Sequence, residues 1–130
     1  MSQEDVETVR RGNAAFRRGD WEGVAANMDE HVLVRTDPRW PEQYVYGRQA
    51  AVAFYRELWE SGGPDVRIDE IRDLGDRVLA RLTYVMRGQS SGAEVEWRTT
   101  AIYMFREGLG ILEEFFLDHE QALKAVGLEE

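Results

Sequence analysis

The second half of the sequence contains runs of β-type residues separated by short turn signals. Strands that follow one another through such turns pair as antiparallel hairpins, and they need a second packed layer to be stable. The predicted strands cover residues 65–74, 76–88, 93–106 and 109–118, with turns at 75–76, 89–92 and 107–108. This half of the chain therefore predicts an antiparallel sheet with one buried face.

The first half of the chain supplies the second layer as helices. Gly19 ends the first helix, Asp20 can cap the second, and a short strand at 31–36 precedes a loop whose prolines exclude a helix. Apolar residues at helical spacing predict helices over residues 3–18, 20–27 and 48–60, and a short last helix over 119–126. Helices followed by a run of strands predict an α+β fold, with one domain over residues 1–130.

Composition excludes several classes of partner. The formal net charge is −9 and the arginines are scattered, so we expect no nucleic-acid partner. No apolar stretch is long enough to cross a bilayer, so we expect no membrane partner. The chain has no cysteine and its first residues are acidic rather than apolar, which favours a cytoplasmic location. His31 and His119 are not at metal-ligand spacing, and we expect neither a metal nor a cofactor.

The register of the hairpins decides which side chains share a face of the sheet. Counting outward from each turn gives one set of opposed residues, and that set brings apolar residues onto one common face. A slip by one residue would move them to the other face. The pairs predicted in this way are Tyr84 with Trp97, Val78 with Tyr103, Phe105 with Gly110, Ala101 with Glu114, and Thr99 with Phe116.

The opposite face of the sheet is mixed in character. By the same count it carries Leu79, Arg81, Thr83, Arg98, Thr100, Ile102, Met104, Glu113 and Phe115. Part of such a face needs cover, and twofold pairing is the commonest oligomeric solution. We therefore expect a homodimer through the outer sheet face.

Aromatic residues with polar tips are concentrated on the apolar face and in the segments next to it. A curved sheet closed by helices leaves a concave volume, and concave apolar sites bind small molecules. We expect a small hydrophobic molecule there, contacted by Asn13, Phe16, Trp40, Tyr44, Tyr55, Trp59, Tyr84, Trp97, Thr99, Tyr103, Phe116 and Asp118. The alternatives are that the aromatic residues only fill the core and that Asp118 only caps the last helix.

Two carboxylates are the candidate catalytic residues. Glu114 is expected on the apolar face opposite the small Ala101, where desolvation would raise its pKa and make it a base. A structural ion pair with an arginine from one of the helices is the alternative. Asp37 could be a base at the pocket mouth, although an aspartate before a proline is also an ordinary turn starter. A structure with both carboxylates paired to arginines outside any cavity would contradict an enzyme that uses Asp37 or Glu114 as its base.

Four segments of the sequence resemble SnoaL-like proteins of the NTF2-like superfamily. In chain order they are residues 14–21, AAFRRGDW; 46–50, YGRQA; 103–108, YMFREG; and 115–128, FFLDHEQALKAVGL. The resemblance implies a cone, in which a curved antiparallel sheet is wrapped by three N-terminal helices and a short C-terminal helix. The superfamily includes polyketide cyclases, ketosteroid isomerases, epoxide hydrolases, dehydratases and binding modules, so the fold does not fix a function.

The resemblance also bears on the candidate acids and bases. Asp37 falls where ketosteroid isomerases carry their base aspartate. The two oxyanion donors of those enzymes, a tyrosine and a protonated aspartic acid, fall near Gly12 and Ala101, which cannot donate from a side chain. The SnoaL cyclases carry an acid/base aspartate on the last strand, where the nearest acids here are Glu113, Glu114 and Asp118.

Two classes of function stay open at this point. The first is a cofactor-independent enzyme of the cyclase, isomerase or hydratase type that acts on a small hydrophobic molecule. The second is a non-catalytic domain for ligand binding or dimerisation. The missing oxyanion donors favour the second, and a carboxylate among polar-tipped aromatic residues favours the first.

Overall fold

The computed structural model describes residues 2–40, 43–62, 65–87 and 93–128. The turn that we place at 89–92 lies outside these residues. The elements are α1 (Ser2–Arg17), α2 (Trp21–Ala26), β1 (Met28–Arg35), β2 (Tyr44–Tyr46), α3 (Arg48–Gly62), β3 (Asp65–Asp73), β4 (Val78–Arg87), β5 (Glu94–Arg106), β6 (Leu109–Phe116) and α4 (His119–Ala125).

The strands form one sheet in the order β2-β1-β6-β5-β4-β3. Neighbouring strands are antiparallel except β1 and β6, which run parallel. This confirms the α+β fold with a largely antiparallel sheet. The sequence missed β2, a three-residue edge strand inside the expected loop, because so short an alternation does not stand out. It also started β1 at His31, whereas the strand begins at the buried Met28.

Local signals place the helix ends where the sequence predicted them. Gly19 has a positive φ of 69°, which ends α1. The Asp20 carboxylate then caps α2 by accepting a hydrogen bond from the Gly23 amide at 2.9 Å. At the other end of the chain, the Asp118 carboxylate caps α4 through the Glu120 amide at 3.0 Å. These caps confirm the predicted starts of both short helices.

The hairpin between β4 and β5 has the predicted register. Tyr84 lies opposite Trp97, and Val78 lies opposite Tyr103. The rings of Tyr84 and Trp97 stack with centroids 5.3 Å apart and planes 11° apart. Counting from a turn was sufficient here because no residue interrupts the alternation of either strand.

The hairpin between β5 and β6 departs from the predicted register after its first pairs. Phe105 lies opposite Gly110, as predicted, but the next residue of β5, Met104, lies opposite Leu112. Ile111 is therefore an extra residue on β6, which is the definition of a β-bulge. Beyond a bulge, every side chain of the bulged strand lies on the face opposite to the one that a regular count assigns.

The bulge reverses our assignment of faces for the rest of β6. Ala101 lies opposite Phe115, not Glu114, and Tyr103 lies opposite Glu113. The predicted pairing of Thr99 with Phe116 is also wrong, because Phe116 lies opposite Thr100. Glu113 and Phe115 therefore face the helices, and Glu114 and Phe116 lie on the outer face.

The core lies between the concave face of the sheet and the helices. Val32 and Val34 of β1 and Ala51 of α3 are fully buried there. Trp21 and Trp59 pack around this cluster with ring centroids 5.8 Å apart and planes 89° apart. None of the described helices is long and apolar enough to cross a membrane.

The outer face is partly covered by α4 of the same chain, which packs against β5 and β6. Thr100 and His119 are joined by a hydrogen bond of 2.9 Å between Oγ1 and Nδ1. Leu79 and Ile102, which we placed on this face, are fully buried within a single chain. We had expected a second subunit to cover this face, but α4 covers the part formed by β5 and β6. A homodimer through the remainder of the face stays a prediction.

Candidate functional site

A cavity lies between the helices and the concave face of the sheet. Together with the open solvent at its mouth it holds about 680 Å³ of free space, of which about 80 Å³ can hold the centre of a water molecule. One wall is a stripe of α1 residues at helical spacing: Thr8, Val9, Gly12, Asn13 and Phe16. The opposite wall comes from β3, β4, β5 and β6, and most of the lining is apolar.

Five of the predicted ligand-binding residues line this cavity: Asn13, Phe16, Tyr55, Tyr84 and Tyr103. The Asn13 amide is held by donating a hydrogen bond from Nδ2 to the Val66 carbonyl at 3.2 Å. The aromatic rings contact one another edge to face, as between Phe16 and Tyr55 at 6.1 Å. Helical spacing on α1 and α3 and alternation on β4 and β5 were the signals that found them.

The other predicted ligand-binding residues lie outside the cavity: Trp40, Tyr44, Trp59, Trp97, Thr99, Phe116 and Asp118. Trp59 packs in the core against Trp21. Tyr44 is 59% exposed at the sheet edge, where the Arg35 guanidinium lies 5.9 Å from its ring centroid. Trp97 packs against the ring of Tyr84, which itself reaches the cavity. Aromatic character alone did not distinguish core, edge and cavity.

Asp37 is buried away from the cavity and paired with an arginine. Its carboxylate accepts hydrogen bonds from Arg39 Nε at 2.7 Å and Nη2 at 2.9 Å, and from the Leu117 amide at 2.9 Å. The hydrogen bonds from the Arg39 side chain are the main reason that the pKa of Asp37 lies below its usual range. Asp37 therefore ties the loop after β1 to the residue after β6, and its predicted position at the pocket mouth is wrong.

Glu114 is also paired with an arginine outside the cavity. Its Oε2 accepts a hydrogen bond from Arg35 Nη1 at 3.1 Å. The two residues are partners in the parallel pairing of β1 with β6. This arginine comes from a strand, whereas the alternative that we considered placed it on a helix. With Asp37 and Glu114 both paired in this way, the two bases named from the sequence are not placed to act in the cavity.

Glu113 occupies the position that the sequence assigned to its neighbour. Its side chain lines the cavity, and its Oε1 accepts a hydrogen bond from the Tyr55 hydroxyl. Burial raises the pKa of Glu113, and the hydrogen bond from Tyr55 opposes part of that rise. A carboxyl group in such surroundings can exchange a proton with a bound molecule.

Three tyrosines share the cavity lining with this carboxyl group. Tyr55, Tyr84 and Tyr103 all line the cavity. Burial raises the pKa of each phenol, and the charge of Glu113 raises it further. The phenols therefore stay protonated and can donate hydrogen bonds. Among the described residues, the lining contains no lysine, arginine or histidine.

The bulge explains why sequence reasoning missed Glu113. Counting from the turn placed it on the outer face, because Ile111 could not be recognised as an extra residue. The resemblance to the SnoaL cyclases held a signal, since it named Glu113 among three acids near the functional position. That signal did not separate Glu113 from Glu114.

The sheet, the enclosing helices and the cavity define a fold of the NTF2-like class. Within that class, the chain belongs to the SnoaL-like domain family, whose sequence pattern matches residues 9–112. No functionally curated protein matches the sequence.

Solved structures with the same fold include Bal32a, from a soil-derived mobile gene cassette, at 23% identity and a TM-score of 0.79 over 88% of each chain. An NTF2-like protein of unknown function from Burkholderia pseudomallei K96243 has 21% identity and a TM-score of 0.74 over 93% of this chain and 95% of its own. An LEH-like epoxide hydrolase of M. tuberculosis has 16% identity and a TM-score of 0.76 over 96% of this chain and 97% of its own. At these identities the likeness establishes the fold alone.

Proposed function

We propose that the chain binds an uncharged, largely apolar molecule with one hydrogen-bond acceptor, such as a ketone, and that Glu113 moves a proton to or from it. The observation that carries the proposal is the half-buried Glu113 carboxyl group on the cavity wall, beside the hydroxyl of Tyr55. This keeps the acid/base chemistry inferred from the sequence and gives it to a different residue.

The charge of the lining supports an uncharged ligand. Glu113 is the acidic residue in the described lining, and no cationic side chain accompanies it there. A bound anion would meet a desolvated carboxyl group with no compensating positive charge, which is costly. The protonated phenols of Tyr84 and Tyr103 can instead donate hydrogen bonds to a neutral acceptor such as a carbonyl oxygen.

In the proposed reaction, the Glu113 carboxylate takes a proton from the carbon next to the carbonyl group of the ligand. The electron pair of that C–H bond forms the enolate, whose oxygen accepts a hydrogen bond from a tyrosine hydroxyl. Glu113 then returns the proton to carbon, so the step needs no oxidant, reductant or cofactor. The raised pKa of Glu113 makes its carboxylate a stronger base.

Proton exchange at carbon tests this proposal without knowledge of the natural substrate. Acetophenone is an uncharged ketone whose methyl protons are its enolisable ones, and their replacement by deuterium in D₂O is followed by proton NMR. The wild-type chain should accelerate the exchange above buffer. Glu113→Gln should reduce the acceleration by about 10²-fold or more, as expected for loss of a positioned base.

Glu114→Gln is the matched control for that experiment. It changes the same chemical group one residue away, on the outer face and outside the cavity. Its exchange rate should stay within about twofold of wild type, because only a group in the cavity reaches the ketone. Equal losses in the two variants would contradict the proposed role of Glu113.

Binding without chemistry is the second candidate function. It is favoured by the lack of a histidine or a second carboxyl group to relay protons in the described lining. Prodan, an uncharged fluorescent naphthyl ketone, distinguishes the two candidates when it is used with acetophenone. Saturable binding of prodan with no acceleration of acetophenone exchange would establish the binding-only function.

A further inference from the structure

Gly12 occupies an unfavourable position for a glycine, in the interior of α1 (Ser2–Arg17). Glycine inside a helix is less stable than alanine, because its unfolded backbone has more freedom to lose. A special backbone conformation, close packing or a bound ligand can offset that cost.

Backbone conformation does not supply the reason for Gly12. The described glycines with a positive φ are Gly19, Gly47, Gly75, Gly108 and Gly127. Gly12 is not among them, so alanine can adopt its conformation without strain.

Close packing does not supply the reason either. A Cβ atom added at Gly12 would have Asn27 Nδ2 as its nearest neighbour, at 3.8 Å, which is an ordinary van der Waals contact. Gly23 in α2 is different, because a Cβ there would lie 2.5 Å from Asp20 Oδ2 and 3.0 Å from Ala15 Cβ. A methyl group would therefore fit beside Gly12, in contact with the Asn27 side chain.

That space belongs to the cavity. Gly12 lines it within the α1 stripe, one turn from Thr8 and Phe16. We propose that Gly12 determines specificity by leaving room for the ligand against α1. Any side chain at this position would then reduce the size of the largest ligand that the cavity can hold. This inference rests on the proposed binding function and gives that site a limit on ligand size.

The proposal predicts opposite effects on stability and on binding. Gly12→Ala should raise Tm by about 4 °C, because alanine is the better helix former. The same variant should weaken prodan binding, measured by fluorescence titration. Gly12→Leu should weaken it by about tenfold or more, which is the cost of overfilling a packed site. Acetophenone, the smaller ketone, should lose less affinity when it is measured by competition with prodan.

Ala14→Gly is the control for the helix itself. Ala14 is exposed on α1 and outside the cavity. Its replacement should lower Tm by a few degrees and leave the affinity for both ketones unchanged. A binding loss in this variant would mean that helix stability, and not room at Gly12, controls affinity, and it would overturn the inference.

Two further results separate the inference from the function beneath it. A lower Tm for Gly12→Ala, or unchanged prodan affinity in both Gly12→Ala and Gly12→Leu, would overturn the role of Gly12 while leaving the binding function intact. A wild-type chain that binds neither ketone would overturn the binding function, and the size limit at Gly12 with it.

Discussion

The hydroxyl of Tyr55 on α3 donates a hydrogen bond to Oε1 of Glu113 on β6, within the lining of the cavity. The bond joins residues 58 positions apart in the sequence. It exists because the bulge at Ile111 turns Glu113 toward the helices. The candidate site is therefore a consequence of one extra residue in a strand.

Removing the Tyr55 hydroxyl should change the acidity of Glu113. The hydrogen bond from Tyr55 lowers the pKa of Glu113, so Tyr55→Phe should raise it further. The pH profile of acetophenone exchange should then move to higher pH, since the base form appears later in the titration. Tyr46→Phe, at an exposed tyrosine on the sheet edge, is the control and should leave the profile in place. A shift toward lower pH in Tyr55→Phe would contradict the assignment.

The pH dependence of the protein's stability should reflect the desolvated carboxyl group of Glu113. The pKa of Glu113 in the folded state is raised above its ordinary value of 4.5. Its contribution to the free energy of unfolding is therefore fully present below pH 4.5 and is lost as the pH rises through the folded-state pKa. Glu113→Gln lacks this titration. The Tm of the variant minus that of wild type should therefore increase from pH 4.5 upward. A difference that stays constant with pH would contradict a raised pKa.

Asp37 should behave as a structural residue. Its pKa lies below the ordinary value of 3.8, mainly because the Arg39 side chain donates hydrogen bonds to it. Asp37 therefore stabilises the folded state above pH 3.8, and this stabilisation is lost only in stronger acid. Asp37→Asn should lower the free energy of unfolding at neutral pH by about 1–3 kcal/mol in urea titrations. Acetophenone exchange by the folded variant should be retained. Loss of exchange without loss of stability would return Asp37 to the catalytic role.

The cavity should distinguish two ligands of equal size when one is neutral and the other is an anion. Methyl naphthyl ketone and naphthoate share one ring system, but only the second carries a carboxylate. The described lining has no cationic side chain, so naphthoate should displace prodan at least about tenfold less well. Equal displacement by both compounds would contradict an uncharged ligand class.

The parts of the fold that the sequence predicted are those set by local signals. Gly19 and Asp20 mark the boundary of two helices, and counting from the turn found Tyr84 opposite Trp97. Asn13 and Phe16, two of the α1 residues that line the cavity, followed from helical spacing. Each of these depends on neighbours a few residues away.

The parts that the sequence missed depend on distant partners. Ile111 reads as an ordinary strand residue, and its bulge is defined only by pairing with β5. The parallel pairing of β6 with β1 places Glu114 opposite Arg35, which no local pattern could reveal. The choice between Glu113 and Glu114 was therefore a tertiary property.

The titration of Glu113 is the most direct test of its proposed role as a base in the cavity. Carbon NMR of the side-chain carboxyl group gives its pKa in the folded chain, with Glu113→Gln identifying the resonance. We expect a midpoint above 4.5 that rises again in Tyr55→Phe. A midpoint at or below 4.5 would mean that desolvation does not dominate at this carboxyl group, and it would contradict the proposed base.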